Sequence, residues 1–186
     1  MPEIYEPAED SYLMSETLAM ELPKLLNKNP ELKLLEIGVG SGINLQTTLN
    51  VGVKRDNIFG SDINKKAVSH CKKLGFHVIL SDLFSNIDGK FDLIVFNPPY
   101  LPLDEKEPRK SRVATTGGLH GNELIIKFLK EARKHLNREG RIFIITSSLA
   151  QDVNFKILGY KAKEVSSVKL FFEELSLWKL DLNEEI

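Results

Sequence analysis

Apolar positions fall in short blocks along the chain, and the spacing within each block predicts its element. Lys33-Leu34-Leu35-Glu36-Ile37, Asn57-Ile58-Phe59-Gly60-Ser61, Phe76-His77-Val78-Ile79-Leu80 and Arg141-Ile142-Phe143-Ile144-Ile145-Thr146 are runs of strand length. Phe91 to Phe96 is a nearly unbroken series of aromatic, β-branched and aliphatic residues, as a central parallel strand buried on both faces requires. Helices are predicted between the strands. Glu6-Pro7-Ala8-Glu9-Asp10-Ser11 opens one, with Pro7 at its start, acidic residues in its first turn and a broken apolar stripe of Tyr12, Leu13, Leu18 and Leu22. A second covers about Ile43 to Leu49, and a third begins near Asn64. Glu123 to Leu136 is amphipathic, with Leu124, Ile125, Phe128, Leu129, Ala132 and Leu136 on one face, and Asn137-Arg138-Glu139-Gly140 stops it. A short helix is expected near Leu149 to Phe155, and Tyr160 to Val165 with Lys169 to Leu180 reads as a closing antiparallel pair. Trp178 is expected in the core or on a sheet face.

The totals narrow the class. A chain of 186 residues supports one domain, 1–186, and the longest polar stretch, Asp104 to Thr116, reads as a loop inside it. The net charge of −1 offers no global basic field for a nucleic-acid backbone. A single cysteine, Cys71, excludes an internal disulfide and a cysteine-rich zinc site and fits a reducing compartment. With no signal-peptide pattern and no apolar run of membrane-spanning length, a soluble, cytoplasmic protein is expected. His70, His77, His120 and His135 are scattered without ligand-spaced partners, so no metal site is expected. Neither a Ser/His/Asp arrangement nor a glycine-rich loop ending in Lys-Ser/Thr is present, which removes the support for nucleophilic and nucleotide hydrolysis.

Candidate chemistry sits where strands end. Gly38-Val39-Gly40-Ser41-Gly42 follows the first strand and precedes a helix, the nucleotide-binding opening of a doubly wound sheet. A dinucleotide fingerprint wants its third glycine three residues after the second, where this chain has Ile43; Gly42 follows Gly40 by only two. Glu36 just before the first glycine would repel a phosphate and tolerate a sulfonium or ammonium, so a cationic adenosyl ligand fits better than a pyrophosphate. Asp62 ends the second strand, placed to accept from both ribose hydroxyls, against the plainer reading of a helix cap. Asp82 after the third strand can accept from an adenine amine while Leu83 packs on the ring. Glu9, Asp10 and Ser11 read either as helix capping or as contacts to a small ligand's charged end.

The fourth strand runs into Asn97-Pro98-Pro99-Tyr100. Two consecutive prolines fix two φ angles and remove two backbone donors, leaving a rigid turn of acceptors. The Asn97 side-chain oxygen and the Pro98 carbonyl suit a planar NH2 group, with Tyr100 flat against the same plane; an ordinary turn is the alternative. Downstream, Arg109, Lys110 and Arg112 precede Thr115-Thr116-Gly117-Gly118-Leu119-His120-Gly121-Asn122. This segment reads either as a mobile, solvated basic loop or as a substrate-docking lid whose glycines permit close approach.

Taken together, Glu36-Ile-Gly-Val-Gly-Ser-Gly, Asp62, Asp82-Leu83 and Asn97-Pro-Pro-Tyr resemble the seven-stranded class I S-adenosylmethionine-dependent methyltransferases that act on amino groups. Tyr5-Glu-Pro-Ala-Glu-Asp-Ser, Ser61-Asp-Ile-Asn and Gly117-Gly-Leu-His-Gly narrow the resemblance to the archaeal and eukaryotic release factor glutamine methyltransferases of the HemK-like group. It spans nearly the whole chain. The Asn-Pro-Pro-Tyr turn alone is shared with DNA and RNA adenine methyltransferases. Two departures stand out: the extra N-terminal helical domain of the bacterial glutamine methyltransferases is absent, and the Leu101 to Thr116 loop has its own sequence.

The resemblance implies an α/β fold, a Rossmann-like class I methyltransferase with a seven-stranded, mostly parallel sheet and a C-terminal antiparallel pair. S-adenosylmethionine would be held by Asp10, Ser11, Glu36, Gly38, Gly40, Gly42, Asp62, Asp82, Leu83 and Asn97. Catalysis would fall to Asn97, Pro98 and Tyr100, which orient a carboxamide nitrogen for in-line attack with no strong general base. The substrate implied is a class I release factor, methylated on the glutamine of its Gly-Gly-Gln motif. A small zinc-binding activator protein is also implied, and Phe76 to Leu80, at the sheet edge in the fold's usual strand order, is apolar for an unprotected edge. Two rivals are a lysine or nucleobase amino methyltransferase and a cofactor-binding regulatory scaffold without catalysis.

Overall fold

The computed structural model describes residues 4–108, 112 and 115–183. Arg109 and Lys110 lie outside them. Helix α1 (Glu9–Leu26) precedes β1 (Leu34–Ile37), α2 (Ile43–Val51), β2 (Ile58–Asp62), α3 (Lys65–Lys73), β3 (His77–Leu80) and β4 (Phe91–Phe96). After two short strands, β5 (Leu101–Pro102) and β6 (Thr116–Gly118), come α4 (Glu123–Ala132), β7 (Leu136–Ser147), β8 (Tyr160–Lys169) and β9 (Glu174–Leu182). Seven strands form one sheet in the order β3-β2-β1-β4-β7-β9-β8, while β5 and β6 pair separately. The pairs from β3 through β7 are parallel; β9 runs antiparallel to both β7 and β8. This is the class I methyltransferase architecture.

The unbroken apolar strands follow from burial on both faces. Leu34, Leu93, Val95, Phe143 and Ile145 pack on one side with Leu13, Met14, Leu18 and Leu22 of α1. The alternate positions Leu35, Ile94, Phe96, Ile142 and Ile144 pack on the other side with Ile125, Phe128 and Leu129 of α4. A strand that feeds two cores has no face left for polar residues, so period-two alternation vanishes. From β1 the chain steps outward to β3, then crosses back to β4 on the other side of β1. Ligands bind at such a reversal, outside the carboxyl ends of the two diverging strands.

Local differences from the sequence expectations have tertiary causes. Helix α1 starts at Glu9, not at Pro7, and Tyr12 points to solvent at 51 % exposure while Met14 takes a core position. The helix at 123 ends at Ala132, and Leu136 belongs to β7, where it pairs with Phe91. Asn137 to Gly140, expected to be a helix stop, forms a bulge in β7, pinned by Asn137 Nδ2 donating to Asp92 Oδ1 at 2.6 Å. Among the described residues no helix forms over 149–155, because the segment's polar backbone is engaged elsewhere: Gln151 N donates to the His120 carbonyl, and the Gln151 and Asp152 carbonyls accept from Asn122 Nδ2. The closing hairpin turns at 170–173 rather than before Lys169, so its first strand runs on to Lys169 and its second starts later, at Glu174, and ends at Leu182. Trp178 packs on Phe155 and donates Nε1 to Thr146 Oγ1 at 2.9 Å. Among the described residues no helix is long and apolar enough to cross a membrane.

Candidate active site

The turns leaving β1 and β4 face each other across a cleft of about 290 Å³. Its lining brings together Asp10, Ser11, Glu36, Gly38, Gly40, Asp62, Asp82, Leu83, Asn97, Pro98 and Tyr100, the residues singled out from the sequence. Gly42 is not in the lining; it stands behind as the N-cap of α2.

One half of the cleft is a polar pocket built on strand ends. Gly38, Gly40 and Gly42 have φ of +72°, +49° and +81°. At Gly38 and Gly40 an added Cβ would touch nothing closer than 3.7 Å, so the left-handed backbone, not crowding, requires glycine there. Behind the turn lies Glu36, 1 % exposed. Its Oε1 accepts from Asn44 Nδ2 at 2.8 Å, while Oε2 is buried without a donor. Burial pushes this carboxyl up to about 8; the Asn44 hydrogen bond opposes the shift and the nearby Asp62 charge adds to it.

Asp62 accepts from Gly40 N at 3.0 Å and from Asn64 N at 2.7 Å. The cap of α3 is Asn64, whose Oδ1 accepts from Lys66 N, so Asp62 is not needed for that duty. It ties the glycine turn to β2, and each of its oxygens keeps lone-pair capacity toward the cleft. Asp82 is more than half exposed, 3.4 Å from Lys127 Nζ. Leu83, buried beside it, has φ +47°, a left-handed conformation that costs a non-glycine residue about 1–2 kcal/mol. The Ser81 hydroxyl holds this turn, donating to the Leu83 carbonyl at 2.8 Å and accepting from Asn86 N at 3.0 Å. Asn44 and Ser81 carry no signal in the sequence, where each is one polar residue beside an apolar block.

The other half surrounds the Asn-Pro-Pro-Tyr turn. Asp10 accepts from Asn97 Nδ2 at 3.0 Å, from Tyr100 Oη at 3.4 Å and from Tyr5 Oη at 3.2 Å. Burial, with the Asp10 charge next in effect, pushes both phenols well above the usual tyrosine range, so both remain donors. Asn97 Oδ1 is buried and has no donor. Tyr5 is the member the sequence reading did not single out, because it precedes the first helix and only the fold carries it to residue 100. Cys71, whose thiol burial pushes up to about 12, is no nucleophile.

The glycines at 117–121 approach the catalytic turn's own backbone. A Cβ on Gly117 would lie 2.2 Å from the Gly121 carbonyl oxygen and 2.6 Å from that of Pro99; one on Gly121 would lie 2.4 Å from that of Tyr100. Close approach is therefore real, but it buttresses the turn from behind. The preceding loop is tied internally: Arg112 donates to the Glu105 and Glu107 carbonyls, and Glu107 accepts from Thr115 and Thr116. Thr115 reaches the cleft wall.

Comparisons with known proteins put this geometry in context. Residues 14–158 match the methyltransferase small domain family. A Methanocaldococcus jannaschii protein named as a putative protein N5-glutamine methyltransferase is 39 % identical, over 96 % of this chain and 93 % of its own. Mouse methyltransferase HEMK2 is 30 % identical over 77 % of this chain and 72 % of its own. Among solved structures, the E. cuniculi Mtq2–Trm112 complex, described as responsible for methylation of the eRF1 translation termination factor, superposes with a TM-score of 0.69. That match is 24 % identical and covers 96 % of this chain and 98 % of the other. Sequence, sheet order and a cleft at the strand reversal agree: the chain belongs to the methyltransferase small domain family.

Proposed function

We propose that the protein transfers a methyl group from S-adenosylmethionine to the side-chain amide nitrogen of the glutamine in the Gly-Gly-Gln motif of a class I release factor. The observation that carries this reading is Asn97 Oδ1, a buried acceptor with no donor, on a turn whose next two residues are prolines. An unsatisfied buried acceptor costs about 1–3 kcal/mol, a cost relieved when a substrate donor arrives. A primary amide brings two protons, one for Asn97 Oδ1 and one for the Pro98 carbonyl. Tyr100 packs against its plane.

The residues present fit the cofactor. Glu36 Oε2 lacks a donor and its carboxyl favours a cationic neighbour, the glycine turn lets backbone approach a ligand, and Asp62 has acceptor capacity for ribose hydroxyls. Asp82 and Leu83 would bound the adenine, with Asp10 and Ser11 at the end of the cleft nearer the Asn-Pro-Pro-Tyr turn. When bound, S-adenosylmethionine supplies a methyl group activated by a cationic sulfonium that leaves as a neutral thioether. The protein's task is then orientation. An amide nitrogen is a poor nucleophile because its lone pair is delocalised, and fixing both amide protons in acceptors favours the polarised form and aligns the nitrogen. Positioning of this kind supplies on the order of 7–11 kcal/mol in favourable cases. Once methylated, the amide nitrogen is strongly acidic and gives up one of its two protons to water, so no basic group beyond the turn is required; Asp10 beside the turn already accepts several hydrogen bonds.

A small zinc-binding partner is proposed for the free edge of β3. The two sheet edges differ: β8 presents Lys161, Lys163 and Glu164 to solvent, whereas β3 exposes Ile79 and Leu80, each 39 %. Charged edges resist strand addition and apolar ones invite it. A translation factor as substrate implies a cytoplasmic protein.

The test is radiolabelled methyl transfer to a purified class I release factor, wild type against a Gly-Gly-Asn variant of its motif, with and without the partner. Label on the wild-type factor alone is the expected result. No label on either, with cofactor binding demonstrated and the partner present, would overturn the glutamine assignment.

A further inference from the structure

We infer that Asp10 sets the orientation of the Asn97 carboxamide, and so decides which of its two atoms meets the substrate. The inference rests on the reading of Asn97 as the substrate amide's acceptor. A carboxamide presents an oxygen and an NH2 group of nearly equal shape, and a rotation of about 180° around its last bond exchanges an acceptor for a donor. Asn97 can serve a substrate NH2 only with its oxygen turned that way. Nothing in the Asn-Pro-Pro-Tyr turn itself selects that rotamer, since the neighbouring prolines have no backbone N–H to offer.

Asp10 supplies the selection. A carboxylate is acceptor-only, so the Asn97 atom facing Asp10 Oδ2 at 3.0 Å has to be Nδ2, and Oδ1 is turned away, to where it finds no donor. The carboxylate is itself fixed by donors from two segments. Ser11 N donates to Oδ1 at 2.6 Å and Ser11 Oγ at 3.2 Å, while the Tyr5 and Tyr100 phenols donate at 3.2 and 3.4 Å to Oδ2. Asp10 is 6 % exposed and lies in the first turn of α1, where the helix N-terminus favours negative charge. Its charge also draws the Asn97 amide toward the dipolar form, strengthening Oδ1 as an acceptor through one hydrogen-bonded relay. Asp10 is thus a positioning residue, acting through Asn97.

The experiment measures three quantities on wild type, D10A and D10N. They are the single-turnover methyl-transfer rate at saturating S-adenosylmethionine, the affinity for S-adenosylmethionine by calorimetry, and the Asn97 side-chain amide signal in a proton–nitrogen correlation spectrum, assigned by its loss in N97A. D10A is expected to slow transfer at saturating S-adenosylmethionine at least ~100-fold, comparable to removing one oriented transition-state contact, with a much smaller change in cofactor affinity. D10N is expected to be intermediate, because the substituted carboxamide can still accept from Asn97 but brings a surplus donor into the cluster. In both variants the Asn97 amide protons should move from their wild-type position. Weakened cofactor affinity with an unchanged rate at saturating S-adenosylmethionine would make Asp10 a cofactor ligand and overturn the inference, as would any unchanged rate or an unmoved Asn97 signal. Should D10A fail to fold, D10N and the spectrum decide. Failure of the glutamine reading is separable: the wild type itself would then label no release factor, while the spectrum still reports the orientation of Asn97.

Discussion

The two halves of the cleft are built in opposite ways. On the cofactor side each functional residue sits at or just after the end of its own strand: Glu36 and Gly38 at β1, Asp62 at β2, Asp82 at β3. Each is held by its own turn or by the turn of an adjoining strand, as Asp62 is by Asn64 two residues on and by Gly40 at the end of the neighbouring β1. On the transfer side Asn97 comes from β4, but its partner Asp10 lies 87 residues earlier, and the turn is braced by Gly117 and Gly121. The first half is a set of separate strand ends that converge because the sheet is parallel. The second is one connected network, in which moving any member moves the rest. Binding should therefore decline by degrees when cofactor-side residues change, whereas transfer should be lost abruptly.

The largest expected effect is that of N97A. Methyl transfer should fall ~10³-fold or more while calorimetric affinity for S-adenosylmethionine stays near wild type, separating the halves cleanly. Turnover retained in this variant would join them again.

Gly117→Ala comes next. Its Cβ would press on the Pro99 and Gly121 carbonyls, backbone atoms that cannot swing aside, so overpacking of about 1–3 kcal/mol is expected. For a domain of this size each kcal/mol lowers the melting temperature by roughly 2–4 °C, measurable by circular dichroism. Transfer should fall further than stability alone explains, because the displaced atoms belong to the catalytic turn.

E36Q probes the other half by pH. Binding of a cation at Glu36 requires the ionised form, and burial holds this carboxyl up to about 8. Wild-type affinity for S-adenosylmethionine should accordingly rise with pH, by as much as about tenfold per unit below 8, and level off above it. E36Q should show no such slope. Stability moves the other way: the unfolded carboxyl ionises near 4.5, the folded one near 8, so the stabilisation present at low pH is lost as pH climbs between them. Cofactor-free E36Q should overtake the wild type in denaturant midpoint across that window. A wild-type affinity that does not vary with pH would remove Glu36 from the cofactor's charged neighbourhood.

The smallest effect is expected outside both halves. W178F removes the hydrogen bond to Thr146 and should lower stability by about 1 kcal/mol with transfer unchanged. A loss of transfer here would mean that the back of the sheet couples to the cleft.

How far the molecule could be read from its chain follows the same division. The inner parallel strands were legible because residues buried on two faces leave continuous apolar runs, the edge strand β3 because it is apolar although mostly exposed, and the glycine turn because left-handed backbone demands a particular residue. Leu136 lies in a strand rather than at the expected helix end, because an apolar residue there fits either element until its partner, Phe91, is known. The expected helix near residue 149 was lost to Asn122, whose side chain takes the backbone carbonyls a helix would have used. In the site, the glycines at 117–121 announced a close approach, yet the chain alone did not say to what.

The sequence by itself determined the elements whose causes are local: strand burial, the glycine turn, the rigidity of Asn97-Pro98-Pro99 and the carboxylates placed at strand ends. Only the tertiary structure decided that Tyr5 and Asp10 meet Asn97 and Tyr100, that Glu36 is sealed from water with one oxygen unpaired, and that Gly117 rests on Pro99. Period and propensity are properties of neighbouring residues, whereas a hydrogen bond across 87 positions exists only after the sheet has ordered its strands.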